Sequence, residues 1–470
     1  MLRCCYYLMA MMCLLGIVLP GTAEGQSVPV ADSSYLVVRK IIIAGNKKTR
    51  TTIIEREIST VPGDTIYLRD LAATLEERRK QLLNTSLFLN VTANIKNWTG
   101  NEADLVFEVW ERWYTFAYPI FKLADRNGNQ WWVEKKHSRN RSTVGVSGTQ
   151  ENLTGRNYAL NAAFQFGYTQ RFALQYNVPY IDKRFRHGLG ITASYNRNRE
   201  VNDSTSDNKQ QFFRKDDFLR QVYLVGLSYS YRKAINARHQ VFLNFNYEKV
   251  ADSVAVLNPN YLGKGRTSVR YLDLTYRFTY IKADSWVYPL KGFRLLAEVG
   301  KRGIGPWNDV NDVNFRLNMA KYWELRPKTF FALGIRSLAK FSGDQPYINQ
   351  QALGYRDDYL RGLEYYVVDG TSFAILKSTF RRELVAFKVK LPIVPKKFNT
   401  VPVRILAKAY ADAGYAHSSS PGNSFLNDRL LYTGGIGLDI VSFYDTCLRI
   451  EYSFNQLGQK GLFLHTSVDM

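Results

Sequence analysis

The chain has 470 residues, a formal net charge of +22, 14% aromatic residues and a mean hydropathy of -0.27. Past the first 25 residues it contains no run of about eighteen apolar residues, which excludes a transmembrane helix and leaves a water-soluble protein or a β-barrel. Four cysteines are present, and only Cys447 lies beyond that leader. A disulfide framework and a cysteine metal site are therefore excluded.

The leader reads as a secretory signal over 1–25, with Arg3 as the positive region, Leu8 to Leu19 apolar, and Ala23-Glu24-Gly25 as a cleavage site ahead of Gln26. Cys4, Cys5 and Cys13 leave with it, and Cys13 follows Met12 inside the apolar run, where no lipoprotein site is expected. Residues 26–35 form a short linker. The basic charge could suit nucleic acid, but the export signal and the scatter of Lys and Arg through strand-like segments argue against it. With 31 Tyr, 27 Phe and 8 Trp in a chain of polar mean hydropathy, the composition fits a barrel with a polar lumen and aromatic girdles.

Residues 36–111 have the grammar of a small α/β module. VVRKIIIAGN reads as a strand ending at Gly45-Asn46. Thr52 with Glu55 reads as a capping box for a helix whose Ile54 and Ile58 share a face. After Gly63-Asp64, the residues Leu68, Leu71, Leu75 and Leu82 mark one face of a second helix. LFLNVTANI and ADLVFEVWE then read as two strands, giving the order β-α-α-β-β.

From 112 to 470 the apolar period becomes two. Leu272, Leu274, Tyr276, Phe278 and Tyr280 alternate with Asp273, Thr275, Arg277 and Thr279, over a length that a lipid-facing, water-lined strand requires. About sixteen such strands are predicted, starting near 115, 143, 157, 170, 188, 218, 239, 268, 292, 312, 327, 372, 401, 432, 446 and 461. The fold class is an all-β transmembrane barrel behind one α/β domain. The segment 202–207, NDSTSD, carries Asp203 and Asp207 but lacks the glycine and glutamate of a calcium loop, and reads as a solvated surface loop.

In VRILAKAYADAG, Val403, Ile405, Ala407, Ala409 and Ala411 share one face, leaving Arg404, Leu406, Lys408, Tyr410 and Asp412 on the other. Charge on the lipid face costs about 2 to 4 kcal/mol near the midplane, so Asp412 points into the lumen. The same alternation turns Ile436, Leu438 and Ile440 outward and Gly435, Gly437 and Asp439 inward. Ahead of these strands lies a long loop, 342–371, containing DYLRGLEYYVVDG with Arg361-Gly362-Leu363.

That segment resembles the Arg-Gly-aromatic loop motif of the BamA/TamA superfamily of outer-membrane barrels. "IIIAGNKKT" and "LFLNV" make the module similar to a POTRA domain, the unit that precedes the barrel in that family. FKLADRNGNQWW and ENLTGRN are similar to the family's opening barrel strands, and AYADAGY with GGIGLDIVSFYDTCLRIEYSFN to its terminal ones. The resemblance implies that Arg361 folds back into the lumen to meet a carboxylate, for which Asp412 and Asp439 are the candidates; pairing of Asp412 with Arg404 or Lys408 stays open. Leu363 departs from the family's aromatic, which implies weaker packing of the loop. The resemblance further implies a periplasmic module whose strand at Phe88, Leu89, Asn90 and Val91 offers an edge to extended substrates.

His137, His187, His239, His417 and His465 lack paired metal spacing, and no hydrolase or P-loop string occurs, so no enzyme, metal site or cofactor is expected. The expected location is the Gram-negative outer membrane. Expected partners are outer-membrane lipids including lipopolysaccharide, client outer-membrane or surface polypeptides, and periplasmic chaperones or accessory lipoproteins, without nucleic acid. The function implied is assembly or translocation of other polypeptides. A passive pore, a structural surface barrel and a dedicated exporter of one passenger are the alternatives.

Overall fold

The computed structural model describes residues 34–123, 142–341, 345–390, 400–442 and 446–466. The expected signal peptide, nearly all of the linker, His137 and the FKLADRNGNQWW segment beyond Leu123 lie outside the described residues.

The N-terminal module runs β1 (Tyr35–Ala44), α1 (Thr51–Ile58), β2 (Thr65–Tyr67), α2 (Leu68–Asn84), β3 (Phe88–Thr99) and β4 (Glu102–Glu111). Its sheet has the order β2-β1-β4-β3, with β1 parallel to β4. The helices bury Ile53, Ile54, Ile58 and Leu82 against Leu36, Val38, Leu105 and Phe107, while Leu68, Leu71 and Leu75 pack at the margin.

Two details differ from the sequence expectation. The short strand β2 was not foreseen, because three residues with only Ile66 turned into the core carry too little pattern to read. The capping box is also absent: α1 begins at Thr51 with Arg50 as its N-cap and no side-chain cap bond. Tertiary contacts start this helix instead, since Asn46 Nδ2 donates to Thr49 O and Thr51 Oγ1, and the Arg50 N–H is taken by Gly155 O of the barrel at 3.0 Å.

The barrel opens with β5 (Thr115–Leu123), β6 (Ser142–Leu153), β7 (Tyr158–Gly167), β8 (Thr169–Val178) and β9 (His187–Asn198). A separate hairpin, β10 (Glu200–Ser206) and β11 (Lys209–Arg214), interrupts the sequence. Then come β12 (Arg220–Tyr231), β13 (Ala237–Val250), β14 (Ser268–Ala283), β15 (Gly292–Ile304), β16 (Trp307–Arg326) and β17 (Thr329–Phe341). The long loop holds β18 (Gln351–Leu353) and β19 (Val368–Asp369), and β20 (Ser372–Lys390), β21 (Thr400–His417), β22 (Leu431–Val441), β23 (Cys447–Asn455) and β24 (Lys460–His465) complete the chain. Apart from the two small hairpins, these strands form one sixteen-stranded sheet of antiparallel neighbours.

The strand starts agree with the period-two reading to within two residues, except that β16 begins at Trp307, not near 312. Its turn is tight, with Gly303 and Gly305 both at positive φ, so the strand pairs further from the midplane than the alternating pattern reaches. Outward residues are apolar and open, as at Leu227 (58% exposed) and Ile436 (60%), whereas the inward Asp439 and Glu451 are enclosed.

Residues 202–207 form part of the β10–β11 hairpin and not a solvated loop. Asp203 is buried, and Asp207 and Asn208 make the turn in left-handed backbone conformations that Asp and Asn tolerate. Asn208 is enclosed: its Nδ2 donates to Val367 O (2.9 Å) and Ser424 Oγ (2.7 Å), and its Oδ1 accepts from Phe425 N–H (2.9 Å). The hairpin is thereby clipped to two other loops at the barrel end away from the module. At its base Val201 and Phe213 pack into an apolar cluster with Leu219 and Val250, but the 202–207 stretch itself is held by polar contacts, which is why sequence periodicity missed it.

At the opposite end the module docks on the turns. Glu57 of α1 accepts from Arg232 NH1 (2.6 Å), Arg232 NH2 (2.8 Å) and Tyr180 OH (2.8 Å), while Arg56 donates to the carbonyls of Phe185 and Arg232. Tyr180 joins the module's own apolar core, with Phe185 packed against it.

Candidate functional site

The long loop turns inward and reaches the wall formed by β20 to β23. At its tip Gly362 adopts φ +92°, and a Cβ there would lie 2.9 Å from Ser453 Cβ, so glycine suits both the backbone and the close approach. Arg361 beside it is completely enclosed. Its Nε donates to Asp412 Oδ2 at 2.8 Å and its NH2 to Asp412 Oδ1, a two-point contact that fixes direction as well as charge. NH1 donates to Thr379 Oγ1 (3.0 Å), NH2 also to Ser378 O (3.1 Å), and the guanidinium lies 4.0 Å from the Tyr410 ring centre.

Tyr410 can lie flat beneath the guanidinium because its cross-strand partner is Gly435, where a Cβ would collide with the tyrosine hydroxyl. Its hydroxyl meets Ser453 Oγ at 2.6 Å. Leu363, where the resemblance implies weaker packing, is itself buried with Leu360, Leu353, Phe373 and Leu426 in an apolar cluster inside the lumen. Packing of the loop therefore does not depend on an aromatic at that position.

Asp439 faces inward as expected but does not meet Arg361. It sits opposite Leu406 and Asp412 opposite Thr433, six rungs further along the same pair of strands, or about 20 Å at the usual rise per residue. Asp439 belongs to a second network, bound by Lys408 Nζ (2.5 Å), Tyr288 OH (2.6 Å) and Arg381 Nε (3.3 Å). Lys408 also reaches Glu451 Oε1 at 2.6 Å, and Arg449 NH1 reaches the same oxygen at 3.4 Å. Alternation identified inward-facing residues correctly but carried no information on their depth, which depends on register.

Sequence reasoning also missed a three-residue cluster. Glu364 in the loop, Glu451 on β23 and His465 on β24 bring one ligand atom each within 4.8 Å of one another. Their separations in sequence hide this completely. Between the loop and the docked module lies a cavity of about 570 Å³ whose lining includes Arg238, Arg277, Arg294, Arg336 and Lys377.

In the module, Phe88 and Val91 turn into the core, Leu89 is half-buried and Asn90 exposed, all on β3 at the edge of the sheet. The barrel sheet has ends too. β5 and β24 are its terminal strands, and among the described residues no ladder joins them. Among the described residues β24 meets β23 at six paired positions, against eighteen between β20 and β21. Among the described residues the seam side therefore carries the fewest ladder contacts of the wall.

A sixteen-stranded barrel with an apolar exterior, a loop tethered in its lumen and an α/β module at its mouth defines an outer-membrane β-barrel with an N-terminal POTRA domain. Sequence profiles agree: residues 36–112 match the POTRA family described as surface antigen variable number repeat, and 152–372 match the Omp85 superfamily domain. The chain belongs to the Omp85 superfamily. Among solved structures it is similar to BamA from Haemophilus ducreyi lacking POTRA domains 1–3, at 15% identity and TM-score 0.50 over 92% of this chain and 83% of that one. CdiB from Acinetobacter baumannii is similar at 12% identity and TM-score 0.48 over 92% and 73% of the two chains. CdiB from Escherichia coli is similar at 10% identity and TM-score 0.45 over 96% and 91%. No curated protein matches significantly. Family membership supports a general role in protein assembly or translocation at the outer membrane.

Proposed function

We propose that the protein inserts or exports client polypeptides through its POTRA domain and the barrel seam, without catalysing a covalent step. The observation that carries this reading is the pair of terminal strands, β5 and β24, which no ladder joins among the described residues, where β24 has six rungs to β23. An exposed strand edge is a template for another strand. A client arriving as an extended segment would pair first with the edge of β3 and then with the wall at the seam, exchanging backbone hydrogen bonds with water for bonds with protein. In this reading the POTRA domain lies in the periplasm and the clipped loops lie at the cell surface, with lipopolysaccharide and phospholipid around the apolar band. Chaperones or accessory lipoproteins would deliver the client.

Depletion of the protein followed by a census of outer-membrane proteins tests this reading. Loss of many barrels indicates general assembly, and loss of one surface protein indicates dedicated export. An unchanged census contradicts both and points to a pore or structural role.

A further inference from the structure

We propose that Glu364, Glu451 and His465 form a binding site for a divalent transition-metal ion of the zinc type, which staples the lumen loop to the last barrel strand. Glu364 Oε1, Glu451 Oε2 and His465 Nε2 are buried atoms without a hydrogen-bond partner, and they converge on one point. His465 Nε2 lies 3.5 Å from Glu364 Oε1 and 3.4 Å from Glu451 Oε2. Ligands at 2.0–2.1 Å around a tetrahedral ion stand about 3.3 to 3.4 Å apart, so both separations match edges of such a tetrahedron. An imidazole with two carboxylates is a donor set for zinc and its neighbours, and leaves a fourth position for water.

The rest of each ligand is already oriented. Glu364 Oε2 accepts the Gly362 N–H at 2.6 Å, Glu451 Oε1 is held by Lys408, and the His465 ring stacks on Tyr359. The free atoms are the ones that face the shared point. Two carboxylate oxygens and a ring nitrogen enclosed together without a cation would leave buried acceptors unsatisfied. The site lies on the seam side, because His465 ends β24, and it connects that strand to the loop three residues beyond Arg361. It stands whether or not the seam admits clients.

The test uses the purified full chain in detergent micelles, titrated with zinc chloride by calorimetry and with cobalt(II) by visible absorption. One equivalent of zinc and the bands of four-coordinate cobalt are expected in the unaltered protein. His465→Gln and Glu364→Gln should each weaken zinc binding at least about tenfold, while His187→Gln on the outer wall leaves it unchanged. A chelator should raise protease cleavage of the loop in the unaltered protein and not in His465→Gln. Absence of zinc binding would overturn the assignment, including the case in which only protonation of His465 bridges the carboxylates. Equal binding by the unaltered protein and both ligand variants would overturn it as well.

Discussion

Arg361→Ala is expected to release the lumen loop. The side chain is fully enclosed, makes the two-point contact with Asp412, donates to Thr379 and Ser378, and covers Tyr410. Deleting one member of a buried ion pair costs about 3–5 kcal/mol because the other charge is left uncompensated. Lys377, buried and directly opposite Asp412 in the register, supplies part of the missing charge and moves the expectation to the lower end. About 3 kcal/mol corresponds to a rise of roughly a hundredfold in the released fraction. Limited proteolysis of the folded protein reads this directly, and the urea midpoint reads the stability loss. Arg356→Ala, at an exposed position in the same loop, should change neither by a comparable amount. In a double-mutant cycle, Arg361→Ala with Asp412→Ala should fall short of additivity by more than about 1.5 kcal/mol. Additive effects, or an Arg361→Ala protein as protease-resistant as its parent, would refute the anchor.

Gly362→Ala should loosen the loop by more than about 1 kcal/mol, because alanine must adopt φ +92° and meets Ser453; the proteolysis assay that reads Arg361→Ala reads this too. At the domain junction, burial pushes the Glu57 carboxyl up, but the charge and hydrogen bonds of Arg232, with Arg56 and Tyr180, hold it below its ordinary 4.5. Its contribution to docking is therefore full above pH 4.5 and is lost as pH falls through the lower folded value. Distance measurement between spin labels on the two domains should show separation in acid for the parent, and already at neutral pH for Glu57→Gln. Phe88→Pro should unfold the module rather than merely block its edge, since Phe88 is a core residue; a proline variant with an unchanged thermal transition would contradict that placement.

The barrel was legible in the sequence because a membrane wall imposes one rule on every strand, apolar outward and polar inward. Leu406, Lys408, Tyr410 and Asp412 could be sorted on that rule alone, and the Arg-Gly dipeptide drew attention to the loop. What stayed hidden depends on register and on contacts between loops. Asp439 faces the lumen as expected yet lies six rungs from Asp412, a distance no periodicity reports. The β10–β11 hairpin packs only the paired Val201 and Phe213 into an apolar cluster at its base and is clipped at its tip through Asn208, so the polar NDSTSD stretch resembled solvated chain. The helix start at Thr51 was misread for a related reason, because a barrel carbonyl, and not a local side chain, takes the Arg50 N–H.

The seam is tested most directly by locking it. With Cys447 replaced by serine, cysteine pairs scanned along β5 and β24 would be oxidised in cells, and the outer-membrane proteome compared with and without reductant. Loss of one or more client proteins in the locked state, restored on reduction, is the predicted result. A locked protein that supports an unchanged outer-membrane proteome, when depletion does not, would contradict passage or templating at the seam.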